Sequence, residues 1–175
     1  MKIKIIYTVL IILFNLQLFS QQRAIIPPLK SNSWYTASTS MPASYGITYT
    51  PSLAGDQNLN TWWSPASNDK ETCWLQINFS EKRQVNYINI HAGSHYLSFK
   101  NLGNLYPKNL RIKYALLEFS DGTNESIDLD DVDEIQTIYF SLRNTRYVRI
   151  RPLRYYAATK WNDPCISHFK AGYEQ

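Results

Sequence analysis

A long segment between two strand-like runs combines aromatic rings with side chains that donate and accept hydrogen bonds. Residues 91–106 show no clear periodicity and are too rich in apolar and aromatic residues for disorder. Rings of this kind can stack on the C–H face of a sugar, while imidazole and amide groups supply directional hydrogen bonds. The candidate ligand-binding residues here are His95, Tyr96, Asn101, Asn104 and Tyr106. The alternative is that the rings plug one end of the fold and the histidines are solvated.

A second segment, residues 153–163, precedes the last strand-like run and interleaves cations with rings. An arginine offers a planar fork for a carboxylate or for paired hydroxyls, and a neighbouring ring offers a stacking face. The candidate residues in this segment are Arg154, Tyr155, Tyr156 and Trp161. Rings, amides and cations are interleaved outside a strand pattern only in these two segments. We therefore expect the two segments to meet and form one binding site.

The motifs that commonly carry catalysis are absent from the sequence. It has no Gly-x-Ser-x-Gly elbow, no His-Glu-x-x-His pair and no phosphate-binding glycine loop, and it contains 6 glycines in all. Two distant carboxylates could still act as a glycosidase pair, because such pairs assemble from positions that a sequence does not connect. We expect a binding protein rather than an enzyme.

The elements that must position these loops are short β-strands. A content of 44% hydrophobic, 18% charged and 14% aromatic residues is globular and favours strands. Residues 74–79 and 85–90 alternate between apolar and polar, and Asp121-Gly122 between apolar runs predicts a hairpin. No segment shows a convincing helical period. The predicted fold class is all-β, an eight-stranded antiparallel jelly-roll β-sandwich.

The chain divides into a leader, a linker and one domain. Residues 1–20 have the charged, apolar and small-residue order of a secretory signal peptide, residues 21–33 form a polar linker, and residues 34–174 form the domain. An uncleaved membrane anchor is the alternative for the leader, although Asn15 and Gln17 interrupt its apolar run. No later segment could span a membrane. We expect the protein to be secreted, periplasmic or on the cell surface.

The two cysteines, Cys73 and Cys165, would lie in an oxidising compartment if the chain is exported. A disulfide between them would close a loop of about 90 residues and stabilise the fold by about 4 kcal/mol in the chain-entropy model. Two separate buried thiols are an equal alternative, because the sequence does not give their separation. The cysteines and the three histidines (His91, His95 and His168) show no zinc-ligand spacing, so zinc is not expected.

Several short motifs, in this order, resemble a known domain family. Residues 45–64 (YGITYTPSLAGDQNLNTWWS) and 74–79 (WLQINF) are similar to the first half of the discoidin, or coagulation-factor type C, family, also called galactose-binding-domain-like. The second half resembles its NADase-type glycan-binding branch, through residues 104–110 (NLYPKNL), 118–122 (EFSDG), 145–150 (TRYVRI) and 160–167 (KWNDPCIS). The resemblance covers nearly all of the domain. It implies an eight-stranded jelly roll that binds sugars or other surface ligands, without catalysis, through loops at one end.

Two adjacent tryptophans lie in the first of these motifs. On an extended segment, neighbouring side chains point in opposite directions, so one ring faces the core and the other faces the surface. Trp63 matches the buried tryptophan of the family, which leaves Trp62 as the more exposed ring.

The turn at Asp56 in the same motif carries oxygen groups suited to a hard ion such as Ca²⁺. Asp56, Asn58 and Thr61 could supply carboxylate, carbonyl and hydroxyl oxygens. In related domains a glutamate of the last strand closes the site, and His168 stands at that position here. The sequence predicts either a structural Ca²⁺ ion or a turn in which Asp56 bonds to its own backbone.

These observations predict a secreted or cell-surface, non-catalytic carbohydrate-binding module whose partner is a glycan or glycoconjugate. The alternative is an adhesive or structural domain that binds a surface protein. Without Lys2 and Lys4 of the leader, the chain has 16 basic and 14 acidic residues, which gives no electrostatic case for nucleic acid.

Overall fold

The computed structural model describes residues 34–44, 46–67, 69–97 and 102–175. The predicted leader and linker, residues 1–33, lie outside the described residues, as does the candidate site residue Asn101. Within the described ranges, no helix is long and apolar enough to cross a membrane.

Six β-strands and two short 3₁₀ helices make up the regular structure of the described residues. The helices are Pro51–Gly55 and Tyr106–Lys108. The strands are β1 (Tyr35–Ala37), β2 (Leu75–His91), β3 (Arg111–Phe119), β4 (Asn124–Asp128), β5 (Gln136–Tyr156) and β6 (His168–Gly172). All their pairings are antiparallel, in the order β1-β2-β5-β3-β4, and β6 also pairs with β2. The predicted all-β, antiparallel fold is confirmed.

The two long strands, β2 and β5, each contribute to both layers of the sandwich. Their mutual register shifts between Asn78 and Arg83, a bulge of the kind that bends a strand pair. The part of β2 before the shift pairs with β1, and the part after it pairs with β6. The second part of β5 pairs with β3. Six continuous strands thus give eight strand segments, with β1, β3 and β4 in one layer and β6 in the other.

Apolar side chains that point between the layers form the core. In β5, the fully buried Val148 and Ile150 alternate with the half-exposed Arg149 and Arg151. The rings of Phe119 and Phe140, which belong to different layers, have centroids 5.3 Å apart. Each large apolar side chain that is fully buried stabilises the fold by about 1.5–3 kcal/mol. The alternation in the sequence therefore predicts which face of each strand supplies the stability.

The predicted Asp-Gly hairpin joins β3 to β4. The backbone N–H of Phe119 donates to the carbonyl of Thr123 at 3.0 Å, and the N–H of Gly122 donates to the carbonyl of Phe119 at 3.1 Å. Gly122 has a φ of +83°, which a residue with a side chain adopts only with strain. The turn chemistry of the sequence is confirmed here.

The long connections of the chain meet at one end of the sandwich. Ile112, near the start of β3, donates its N–H to the carbonyl of Ala92, just beyond the end of β2, at 3.1 Å. The Tyr156 hydroxyl, at the end of β5, donates to the carbonyl of Leu129, just beyond β4, at 3.0 Å. Because β2 and β5 fold back at the bulge, both of their ends lie on this side. We call the described residues within 38–74, 92–110, 129–135 and 157–167 together the loop end.

The predicted disulfide between Cys73 and Cys165 is wrong, and both residues are free thiols. Cys73 packs in the main core, with its sulfur 3.7 Å from the Tyr155 hydroxyl. Cys165 packs in a second, smaller cluster with Trp62 and other apolar residues of the loop end. The structure therefore corresponds to the alternative of two separate buried thiols, each filling its own apolar cluster.

A thiol reagent should find two reactive cysteines per chain in the unfolded, unreduced protein. It should label neither in the native protein, because both are buried and burial raises the pKa of both thiols. Mass spectrometry after alkylation provides the count, and prior reduction serves as the control that should leave it unchanged. If the number of labelled cysteines rises after reduction, Cys73 and Cys165 are joined by a disulfide after all.

Candidate functional site

A carboxylate at the loop end draws together three side chains from distant parts of the sequence. Asp133 Oδ1 lies 2.9 Å from His91 Nε2 and 2.9 Å from His95 Nδ1. The side-chain amide of Asn104 donates to Asp133 Oδ2 at 3.4 Å. His95 and Asn104 are predicted site residues. His91 and Asp133 are not, because His91 ends a strand-like run and Asp133 belongs to an acidic stretch typical of a solvated loop.

A second carboxylate, Asp131, forms a bidentate ion pair with Arg111. The guanidinium donates from Nε to Oδ1 at 3.0 Å and from NH2 to Oδ2 at 2.8 Å. Its NH1 group donates to the carbonyls of Asn109 at 3.1 Å and Ala157 at 2.6 Å. The hydrogen bonds from Arg111 hold the pKa of Asp131 below its usual range. One guanidinium thus cross-links loops 92–110, 129–135 and 157–167.

Tyr106 is a structural residue rather than an open stacking face. Its ring is buried, with the His91 ring edge-on at 5.6 Å and the Arg111 guanidinium 5.5 Å from its centroid. Its hydroxyl donates to the carbonyl of Val132 at 2.7 Å. The ring also lies against Gly93, where a Cβ atom would approach it to 2.6 Å. The alternative interpretation of the sequence, a ring that closes the end of the sandwich, applies to this residue.

The two predicted binding segments do meet. The N–H of Thr159 donates to the carbonyl of Pro107 at 3.0 Å, and the N–H of Trp161 donates to the carbonyl of Lys108 at 2.8 Å. Tyr96 and Trp161, one from each segment, are partly buried against the same small apolar cluster. Both rings keep part of their surface exposed. Of the predicted stacking residues, these two therefore pack against one cluster and still reach the surface.

The cluster beneath these rings contains Trp62. This tryptophan is 5% exposed and packs against Tyr49, with ring centroids 5.8 Å apart, while Trp63 is completely buried. Trp63 is thus the buried ring, as predicted, and Trp62 is slightly more exposed. Trp62 does not face the surface, however, because a second apolar cluster of the loop end buries it.

The other residues of the second segment lie on a strand rather than in a loop, because β5 extends to Tyr156. The Arg154 guanidinium is 4.6 Å from the centroid of the Tyr114 ring and 4.0 Å from Asp128, with its side chain 62% exposed. The Tyr155 hydroxyl donates to the carbonyl of Lys70. The Tyr156 hydroxyl donates to the carbonyl of Leu129. None of these contacts of Arg154, Tyr155 and Tyr156 is made to His95.

Asp56, Asn58 and Thr61 form a compact turn after the first 3₁₀ helix. Asp56 Oδ1 accepts from the N–H of Asn58 at 2.8 Å, and Oδ2 accepts from the Thr61 hydroxyl at 2.7 Å. Gln57 between them has a φ of 70°, in the left-handed region. These bonds are the alternative that the sequence left open, in which Asp56 bonds to its own backbone.

This donor set fits Ca²⁺ poorly. Calcium takes about six to eight oxygen ligands, commonly including several carboxylates. The turn offers one carboxylate, and both of its oxygens already accept hydrogen bonds. His168, in place of the family's acid, adds no negative charge, so calcium remains a prediction that this donor set does not favour.

His168 is nearly buried at the start of β6, opposite His91 of β2. Burial, followed by the nearby charge of Lys170, lowers the pKa of His168 to about 4. Burial likewise lowers the pKa of His91. Both imidazoles are therefore neutral in the folded protein at neutral pH.

Comparison with known families now identifies the domain. The model of the F5/8 type C domain matches residues 35–166, most of the described part of the chain. This chain belongs to the F5/8 type C domain family. The family resemblance of the sequence is confirmed, whereas the NADase-type branch stays a prediction. No curated protein matches the chain.

Solved structures share the fold of this F5/8 type C domain. The family 32 carbohydrate-binding module of Clostridium perfringens NanJ, solved with galactose, is 17% identical, with a TM-score of 0.55 over 78% of this chain and 90% of that one. The Clostridium perfringens module CpGH89CBM32-5, solved with GalNAc-β-1,3-galactose, is 14% identical, with a TM-score of 0.56 over 79% and 94%. Chitosan-binding module 1 of a Paenibacillus sp. IK-5 chitosanase/glucanase is 18% identical, with a TM-score of 0.52 over 78% and 92%. At these identities the likeness establishes the fold.

Calcium should leave the thermal stability of this F5/8 type C domain unchanged, because the Asp56 turn is completed by its own hydrogen bonds. The measurement is the melting temperature of the protein in excess EDTA and again in millimolar Ca²⁺, with Mg²⁺ as the ionic-strength control. A calcium-specific rise of several degrees, abolished by Asp56→Asn, would show that the turn holds the ion.

Acid should destabilise the domain through His168. Its pKa is about 4 in the folded protein and about 6.5 in the unfolded chain, so the unfolded chain binds the extra proton between these values. Stability from neutral His168 is present above pH 6.5 and is lost as the pH falls towards 4, by up to about 3 kcal/mol. Denaturant unfolding at several pH values across this range gives the free energy of unfolding against pH. This free energy should fall less steeply with falling pH in His168→Gln than in the parent. If a folded His168→Gln variant and the parent lose the same free energy of unfolding between pH 6.5 and 4, His168 is not the group responsible.

Proposed function

We propose that this F5/8 type C domain is an exported, non-catalytic carbohydrate-binding module, with its glycan site on the loop end. The observation that supports it most is that the partly exposed rings of Tyr96 and Trp161 lie at the same end of the sandwich as the polar cluster of His95 and Asn104. A sugar requires both an apolar face for its C–H groups and fixed partners for its hydroxyls. The modules named above, which share the fold, are described as binding sugars.

The polar part of the site is both accessible and fixed in position. The side chains of His95 and Asp133 are 27% and 23% exposed, so a sugar hydroxyl can reach them. His95 is held through its ring by Asp133 and through its backbone N–H by the Ser167 hydroxyl at 3.2 Å. A site with its hydrogen-bonding groups already in place loses little entropy on binding.

A binding role suits Asp131 and Asp133 better than a role in glycoside hydrolysis does. A hydrolase needs one carboxylic acid with a raised pKa to protonate the leaving oxygen. Asp131 is bound at both oxygens by Arg111, and its pKa is lowered. Asp133 is bound by two imidazoles and an amide. Asp131 is thereby held as a carboxylate, and the oxygens of Asp133 are already in contact with three other side chains.

A surface-protein partner is the second candidate, and one observation favours it. Apolar side chains are exposed along and just before the first half of β5, where Ile135, Tyr139 and Leu142 are 43%, 58% and 51% exposed. In the described part of the chain, this half of β5 pairs on one side only, with β2. An exposed strand edge with apolar neighbours can accept a partner strand.

Trp161→Ala should weaken binding of the glycan selected on a glycan array by at least tenfold, about 1.4 kcal/mol, because it removes a stacking ring. His95→Ala should weaken it similarly by removing a hydroxyl partner. Arg154→Ala is the matched control and should bind like the parent, because its guanidinium lies on the Tyr114 ring. The measurement is titration calorimetry with the free sugar, after melting curves have shown that each variant is folded.

If Trp161→Ala and His95→Ala both bind as tightly as the parent, the glycan site lies elsewhere. If no sugar on the array binds and a surface protein is captured through β5, the second candidate replaces the first. Loss of that capture on Tyr139→Ser would then identify the strand edge.

A further inference from the structure

Three metal-ligating atoms converge at the loop end although their spacing in the sequence shows no metal motif. His91 Nε2, His95 Nδ1 and a carboxylate oxygen of Asp133 all lie within 4.8 Å of one another. The two imidazole rings meet edge to face, with centroids 5.3 Å apart, so both point a nitrogen at the same oxygen. His91 ends strand β2, and His95 lies in the loop that follows. Asp133 lies in a second loop, 42 residues after His91 and 38 residues after His95.

Both ring nitrogens of His91 are directed at oxygen atoms. His91 faces two groups that can only accept: the Gly93 carbonyl, 3.2 Å from Nδ1, and the Asp133 carboxylate, 2.9 Å from Nε2. With its N–H at Nδ1, the imidazole donates to the Gly93 carbonyl and directs the lone pair of Nε2 at the Asp133 carboxylate. His91 is completely buried, so water does not relieve this contact. A cation between Nε2 and the carboxylate would relieve it, because both atoms could then bind the ion.

We propose that His91, His95 and Asp133 form a binding site for a divalent first-row transition metal ion, with Zn²⁺ as the expected occupant. Two imidazole nitrogens and one carboxylate oxygen are a donor set that zinc accepts, whereas Ca²⁺ prefers oxygen ligands throughout. The spacing of cysteines and histidines in the sequence does not reveal this site, because the third ligand comes from an acidic loop rather than from a cysteine or histidine.

The surroundings of the cluster are those of a metal site. With Nε2 on the metal, the remaining N–H of His91, at Nδ1, donates to the Gly93 carbonyl, which fixes the tautomer and the ring plane. The Asn104 amide donates to Oδ2 of Asp133 and leaves Oδ1 for the ion. The Arg111–Asp131 pair anchors the same loop two residues away. His91 and Asp133 are therefore each held by a second side-chain contact, and the backbone N–H of His95 donates to the Ser167 hydroxyl.

The distances permit coordination after a small adjustment. Zinc–nitrogen and zinc–oxygen bonds of about 2.0–2.2 Å at tetrahedral angles place neighbouring ligand atoms about 3.3–3.5 Å apart. The two imidazole–carboxylate distances are 2.9 Å and the three ligand atoms lie within 4.8 Å of one another, so side-chain rotations that move each atom by about 1 Å or less suffice. His95 and Asp133 are each about a quarter exposed, which leaves a fourth position open towards solvent.

Titration calorimetry of the EDTA-stripped, mature-length chain with ZnCl₂ tests the site, and it does so without any sugar. The parent should bind one ion per chain, and Asp133→Asn and His95→Gln should each bind at least tenfold more weakly. Asp130→Asn is the matched control, because it removes the same charge from an exposed carboxylate of the same loop and should bind like the parent. Melting curves of the metal-free variants establish that each one is folded.

Absence of zinc binding by the parent would overturn the proposal, as would equal binding by the parent, Asp133→Asn and His95→Gln. Substitution with Co²⁺ supplies an independent readout, with an absorption spectrum expected for nitrogen and oxygen ligands. A strong sulfur-to-metal charge-transfer band would place the ion on a cysteine and also overturn the proposal. Because the readout is metal alone, either result leaves the proposed glycan binding to its own test.

Discussion

The loop end depends on one buried guanidinium. Arg111 begins β3 and is 7% exposed, so its charge is stable there only if every donor finds an acceptor. Asp131 and the carbonyls of Asn109 and Ala157 meet that need, and each comes from a different position along the loops. The cost of burying an unpaired charge thus forces three loops into one arrangement. Asp133 is directed towards the histidines because Asp131 is tied down beside it.

Much of the fold follows from the sequence because its causes are local. Alternation identifies the inward faces of the strands, and the Asp121-Gly122 pair identifies a turn with a positive φ. The fate of Cys73 and Cys165 does not follow, because it depends on which cluster each residue enters after β2 and β5 fold back on themselves. The end of β5 was also misplaced, since rings and cations are compatible with both a loop and a strand.

The candidate site was half predictable. His95, Tyr96, Asn104 and Trp161 could be selected from residue type and from their position outside the strands, and the structure groups them at the loop end. Asp131 and Asp133 could not, because an acidic stretch after a strand has the same composition whether it is solvated or bound. Their partners lie 20 and 42 residues away, so only the folded topology distinguishes the two cases.

The described loops of the loop end are cross-linked by backbone hydrogen bonds, although they contain little regular structure. Trp63 and Ile166 exchange two backbone bonds of 3.0 Å, and Leu110 donates to the carbonyl of Asp163 at 3.1 Å. Loops that are cross-linked in this way have already lost most of their conformational entropy on folding. A weak ligand such as a monosaccharide offers little binding energy to order a flexible site. The cross-links therefore allow the exposed groups of the loop end to bind such a ligand without first having to be assembled by it.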